Sequence, residues 1–173
     1  MEDAAFLSYH SPVGTLNLAS DKGKLALCWF EEQKHAPTIN VQYGRQAISD
    51  VLLQAKEWLD CYFSRQTLPP IPKMELHGSA FQLEVWRVLE EIPYGCVTTY
   101  GEIAKRIAAR RCMPHMSAQA VGGAVGHNPI AVFIPCHRVI AARGIGGYAA
   151  SIDVKKQLLR IEGWDECACS RTV

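Results

Sequence analysis

No apolar run in this chain of 173 residues approaches the ~18 to 20 residues that a membrane-spanning helix needs. Cys-x-x-Cys and His-x-x-x-His pairs are both missing, and with them the spacings that close a zinc site. The scattered His10, Cys28, His35 and His77 are a poor substitute, and neither metal nor other cofactor is expected. There is no internal repeat and no low-complexity tract. The start, Met1-Glu2-Asp3-Ala4-Ala5, is acidic and has no signal-peptide pattern, so a cytoplasmic address is expected, with no membrane partner. The seven cysteines are odd in number and scattered, and in that compartment they read as free thiols. A strong excess of one charge is also lacking, since the net charge is only +1.

What is present is more specific. Hydrophobic residues make up 49% of the chain, which excludes disorder and supplies a core. Charge divides unevenly. Residues 1–78 hold 7 Lys/Arg against 9 Asp/Glu, a balance of −2. Residues 79–163 hold 10 against 6, a balance of +4, so any polyanionic partner belongs to the second half.

In the first half, Val13 to Ser20 and Gly23 to Phe30 read as two strands joined at Asp21-Lys22-Gly23. Ile48, Val51, Leu52, Ala55, Trp58, Leu59, Tyr62 and Phe63 share one helical face. Thr67 to Pro72, with three prolines, reads as a linker. The expectation is a small α/β domain over residues 1–78 and a second, mostly helical domain over residues 79–173.

The second half opens with a capping box at Ser79 and Gln82, and Pro93-Tyr94-Gly95 stops that helix. Cys96-Val97-Thr98 is a short extended piece. Thr99 caps a second helix with Glu102 as its reciprocal partner, and Ser117 caps a third from Ala118 to His127. Two short helices joined by the basic turn Arg110 to His115 suggest a helix-turn-helix. The third helix is rich in small residues: Ala118, Ala120, Gly122, Gly123 and Ala124. Each glycine there costs about 1 kcal/mol against alanine. Either a neighbouring helix packs very close or a ligand backbone approaches directly.

The most informative stretch is Ile134-Pro135-Cys136-His137-Arg138-Val139-Ile140. The apolar run Ile130 to Phe133 reads as a strand, and Pro135 fixes the turn that presents Cys136. A free thiol is only a few per cent thiolate at neutral pH, so a nucleophile needs a base or a positive field beside it. His137 and Arg138 offer one of each. A glycine-rich loop, Gly144 to Tyr148, and a helix from about Asp153 to Ile161 complete the chain.

Together these segments resemble the O6-alkylguanine-DNA alkyltransferases, the methylated-DNA–protein-cysteine methyltransferases. The resemblance runs in order through Phe81-Gln82, Val85-Trp86, Pro93-Tyr94-Gly95, Thr99 to Ala104, Ala120 to Ala124, Asn128-Pro129, the Pro-Cys-His-Arg-Val string, Gly147-Tyr148, Leu158-Leu159 and Glu162-Gly163. It implies a ribonuclease-H-like sheet plus helix, followed by a winged-helix-like domain with the helix-turn-helix. It also implies a DNA repair protein that moves an alkyl group from O6-alkylguanine in duplex DNA, with O4-alkylthymine as a second candidate lesion, irreversibly onto Cys136. His137 and Glu162 would draw off the thiol proton, Tyr100 would donate to guanine N3, and Asn128 would brace the turn. Val139, Tyr148 and Ala149 would bind the base. Ala118, Gln119, Gly122 and Gly123 would meet DNA in the minor groove, with the target base flipped and the protein monomeric; Arg138 would either touch the DNA phosphate or form an internal salt bridge. The pattern departs at Gln119, where many members carry an arginine that fills the gap left by the base.

Two other functions share some of these residues. A thiol hydrolase would use Cys136, His137 and Glu162 as a triad and would turn over repeatedly. A non-catalytic reader of alkylated bases would not need the cysteine.

Overall fold

The computed structural model describes residues 4–34 and 48–164. Among them the chain divides into two compact units: Met1–Leu76 together with Pro129–Ala131, and His77–Asn128 together with Val132–Val173.

The first unit holds a three-stranded antiparallel sheet in the order β1 (Ala5–Ser11), β2 (Gly14–Asp21), β3 (Lys24–Phe30). β2 and β3 match the two expected strands, and β1 is an addition. Its alternation is confined to Leu7, Ser8, Tyr9 and His10, too short to mark a strand alone, and pairing with β2 from Ala5↔Ser20 to Ser11↔Gly14 supplies what the pattern does not. Helix α1 (Asp50–Phe63) buries Val51, Leu52, Ala55, Trp58, Leu59 and Tyr62. Ile48 lies before the helix and is exposed, because Ser49 is the N-cap. The expected strand Ile130 to Phe133 is not formed. Ile130 makes an isolated bridge to Cys28, and the chain turns at Val132 with φ of +72°. That conformation is strained for a β-branched residue and persists here under full burial.

The second unit contains α2 (Ala80–Glu90), β4 (Thr98–Thr99), α3 (Tyr100–Arg110), α4 (Ala118–Gly126), β5 (Val139–Ile140) and α5 (Ile152–Ile161). The capping box forms as expected: Ser79 Oγ accepts from Gln82 N and Gln82 Oε1 accepts from Ser79 N. Thr99 Oγ1 accepts from Glu102 N, but the Glu102 carboxylate takes Lys105 Nζ at 2.7 Å, so the cap is one-sided. Ser117 Oγ accepts from Ala120 N and starts α4. The Trp86 indole N–H donates to Ala124 O at 2.9 Å and ties α2 to α4. β4 and β5 pair in parallel, Thr98 opposite Val139 and Thr99 opposite Ile140. This short pairing sets the start of α3 beside the segment that follows Cys136. Val97, Leu159 and Trp164, flanked by Ile140 and Ile145, form the small core under it.

Candidate active site

Cys136, His137 and Arg138 form a single 3-10 turn after Pro135, and all three are buried. Cys136 N donates to Ile134 O at 2.8 Å and Arg138 N to Pro135 O at 3.0 Å, so the turn is closed by its own backbone. Proline at the preceding position pre-sets the chain for it.

Glu162, just after α5, is the hub of the site. Its Oε1 accepts from His137 Nε2 at 2.6 Å and from Arg138 Nη2 at 3.0 Å. Its Oε2 accepts from Arg138 Nε at 2.8 Å and from the Gly95 amide at 3.0 Å. Burial alone would raise the Glu162 carboxyl, but the His137 and Arg138 partners override it and hold the group well below the usual range. A carboxylate that stays ionised can only accept, so Nε2 of His137 carries the hydrogen. The neutral ring then has its lone pair on Nδ1. Burial lowers the His137 pKa, opposed by Glu162, so the imidazole is neutral at physiological pH.

Cys136 is only 7% exposed, and burial pushes its thiol up. Four influences oppose that: hydrogen bonds from Asn128 and Tyr148, the charge of Lys155, and a backbone hydrogen bond of its own. Asn128 Nδ2 lies 3.1 Å from the sulfur and also donates to Ile134 O at 2.8 Å. The amide therefore touches the sulfur as well as bracing the turn. The resting group is a thiol that must give up its proton to react.

Tyr100 opens α3 and packs on two small residues. A Cβ on Gly122 would stand 3.8 Å from its ring, and one on Gly146 would stand 3.5 Å from it. Burial raises the Tyr100 pKa, with the Cys136 charge adding to it, so its hydroxyl stays protonated. Lys155 is fully buried in α5, and its Nζ donates to Val139 O at 2.6 Å and Gly147 O at 3.0 Å. Val139 is buried, whereas Tyr148 and Ala149 are half-buried.

This constellation pairs a buried thiol with a neutral imidazole whose tautomer is fixed by a carboxylate. The family model described as the 6-O-methylguanine DNA methyltransferase DNA-binding domain matches residues 80–164. The methylated-DNA–protein-cysteine methyltransferase of Methanosarcina acetivorans is 38% identical over 156 residues, covering 90% of this chain and 96% of that protein. That of Mycolicibacterium paratuberculosis is 40% identical over 153 residues, covering 88% of each. This chain belongs to the methylated-DNA–protein-cysteine methyltransferase family. The solved O6-methylguanine methyltransferase of Mycobacterium tuberculosis superposes with a TM-score of 0.79 at 36% identity, covering 92% of both chains. The structure of that organism's protein in complex with DNA superposes at 0.78 with 37% identity over 91% of each chain.

Within this methyltransferase fold the expected DNA-facing residues separate. Ala118, Gln119 and Gly123 are exposed on α4, and Gly123 has open space around it. Gly122 is half-buried because Tyr100 packs on it. Of the two readings of Arg138, a phosphate contact and an internal salt bridge, the structure shows the salt bridge. The Arg138 guanidinium is committed to Glu162 and to Ile92 O at 2.6 Å, beneath the Tyr94 ring, so it offers no free charge to phosphate. Of the basic residues near the turn, Lys105 pairs with Glu102, Arg110 with Glu91 and Arg111 with Glu84. Among the described residues no group of three His, Cys, Asp or Glu could hold a metal; His35, Cys167 and Cys169 lie outside them.

Sequence reasoning missed two parts of the site, Lys155 and the Gly95 amide. Lys155 had a signal. It shares a helical face with Leu158, Leu159 and Glu162, at i+3, i+4 and i+7, so a lysine stands on the buried side of an amphipathic helix.

Proposed function

We propose that this methyltransferase repairs alkylated duplex DNA by moving the alkyl group of O6-alkylguanine onto Cys136. The observation that carries the reading is the buried Cys136 turn, with His137 fixed on Glu162 and Asn128 on the sulfur. His137 Nδ1 takes the thiol proton, directly or through a water. The sulfur attacks the alkyl carbon, an S–C bond forms, and the C–O6 bond breaks with its electron pair passing into the guanine ring. The Tyr100 hydroxyl meets that charge with a proton at N3, and solvent restores the proton to Tyr100 and removes the one on His137.

The product is a thioether. Its saturated carbon has no carbonyl for water to attack, so Cys136 is not regenerated and each molecule reacts once. A cysteine hydrolase passes instead through an acyl-enzyme that water can cleave.

A base within a stacked duplex is out of reach of a buried sulfur, so it must be flipped out at a cost of a few kcal/mol. We place α4 in the minor groove, with Ala118, Gln119 and Gly123 at the sugar-phosphate surface. Val139, Tyr148 and Ala149 line the base pocket. In the finer description of the fold, the first unit is ribonuclease-H-like and the α3–α4 pair is the helix-turn-helix of a winged-helix-like domain. The protein acts as a monomer. The free thiols of Cys28, Cys61, Cys96, Cys112 and Cys136 suit a reducing, cytoplasmic setting.

Incubation with excess O6-benzylguanine tests the reading. It predicts one equivalent of guanine per protein and one benzyl group retained on Cys136. Continued release of guanine beyond one equivalent would refute it and favour a hydrolase.

A further inference from the structure

The buried charges of the second unit do not balance. Among the described residues its buried ionisable groups are Cys136, His137, Arg138, Lys155 and Glu162, with two basic side chains, Arg138 and Lys155, against one carboxylate. Arg138 holds that carboxylate through two nitrogens. Lys155 is left with two neutral carbonyls, those of Val139 and Gly147, as its acceptors. A buried ammonium without an anion is unfavourable and is driven toward its neutral form, and an anion that forms nearby offsets that cost. The anion that forms here is the sulfur of Cys136.

Its position supports this. Val139 is three residues beyond Cys136 and Gly147 directly precedes Tyr148, so one ammonium spans the two segments that border the reactive cysteine. Burial lowers its pKa to about 8, and the charge on Cys136 works in the opposite direction. The titratable groups of the turn packed against α5 are Cys136 and His137, and both sense the Lys155 charge. Arg138 beside them is paired with Glu162, the Tyr148 phenol borders the loop, and Asp153 and Arg160 of its own helix are exposed.

We propose that Lys155 is a positioning residue for alkyl transfer, clamping the Val139 and Gly147 carbonyls so that its ammonium offsets the negative charge developing on the Cys136 sulfur. The proposal rests on the alkyl-transfer reading. It adds that the proton leaves a thiol whose counter-charge is a lysine, while Arg138 serves only to hold Glu162.

The test is the pH dependence of Cys136 alkylation by iodoacetamide, which reports thiolate formation without DNA or guanine. Lys155→Met removes both charge and clamp; Lys155→Gln keeps an N–H donor and removes the charge. In both variants the reactivity limb should move up by about one pH unit, the lower end of the effect of a nearby opposite charge, with roughly tenfold slower labelling at neutral pH. A purely structural lysine would slow labelling equally at all pH values, and an unmoved limb overturns the proposal. A second measurement needs no variant. In native protein carrying 13C-lysine, methylation of Cys136 by methyl iodide prevents the thiolate from forming as pH rises, so Lys155 should lose its proton at lower pH than before. Identical titrations before and after methylation would also overturn it. Failure of native protein to accept a benzyl group from O6-benzylguanine would instead sink the alkyl-transfer reading and leave the iodoacetamide result standing.

Discussion

Replacing Glu162 by glutamine probes the hub of the site, and its effect can be worked from the hydrogen bonds. Four donors converge on the carboxylate, two on each oxygen: His137 Nε2 and Arg138 Nη2 on Oε1, Arg138 Nε and the Gly95 amide on Oε2. An amide has one oxygen. Whichever way it turns, its NH2 group faces two donors, and the buried Arg138 loses its counter-charge. Breaking a buried ion pair from one side costs about 3–5 kcal/mol. For a chain of this size each kcal/mol is about 2–4 °C, so Tm should fall by about 6–20 °C. The imidazole also loses the group that fixes its tautomer, and the single-turnover rate should fall by about 10²–10⁴-fold, the range of general-base contributions. Thermal melting and rapid-quench transfer from O6-benzylguanine measure the two effects. The sign of the pH dependence follows from the lowered Glu162 pKa. Its stabilisation is complete above the unfolded value of about 4.3 and is lost as pH falls through the folded value. The stability gap between wild type and Glu162→Gln should therefore be constant near neutrality and narrow only in acid. A Tm within 2 °C of wild type and a transfer rate within about threefold would refute the reasoning, since these are smaller than one lost charged hydrogen bond produces.

Asn128→Ala removes donors to the sulfur and to Ile134 O. Ile134 O keeps the Cys136 amide as a donor, so the variant should destabilise by only about 0.5–1.5 kcal/mol for the lost hydrogen bond and move the iodoacetamide limb of Cys136 to higher pH; an unmoved limb would show that the Asn128 amide does not support the thiolate. Gly146→Ala places a Cβ 3.0 Å from Ala141 N at φ of +73°, so thermal melting should show a loss of at least about 1 kcal/mol. Gln119→Arg adds charge and stacking surface on the exposed start of α4, and duplex affinity should rise by about tenfold in fluorescence anisotropy. Unchanged or weaker binding would remove this position from the extruding role.

Much of the second unit was legible because its signals are local. Ser79, Thr99 and Ser117 sit where backbone N–H groups need acceptors, and each starts a helix. The Pro-Cys-His-Arg-Val string identified the reactive turn because the chemistry needs those groups side by side. Features set by distant partners were harder to read. β1 depends on pairing with β2, and the Ile130 to Phe133 run looked like a strand because composition does not report the left-handed turn at Val132. Arg138 could be read as a phosphate contact or an internal salt bridge, and local sequence does not decide between them because the carboxylate that captures it lies 24 residues away. Lys155 joins the site through two main-chain carbonyls from separate segments, which no local pattern reports.

Intact-protein mass spectrometry, with peptide mapping, after exposure to a duplex containing one O6-methylguanine tests the central claim most directly. The account predicts a gain of one methyl group per protein, located on Cys136, with unmodified guanine restored in the DNA. A chain that stays unmodified while the lesion persists, or a methyl group found on another residue, would contradict it.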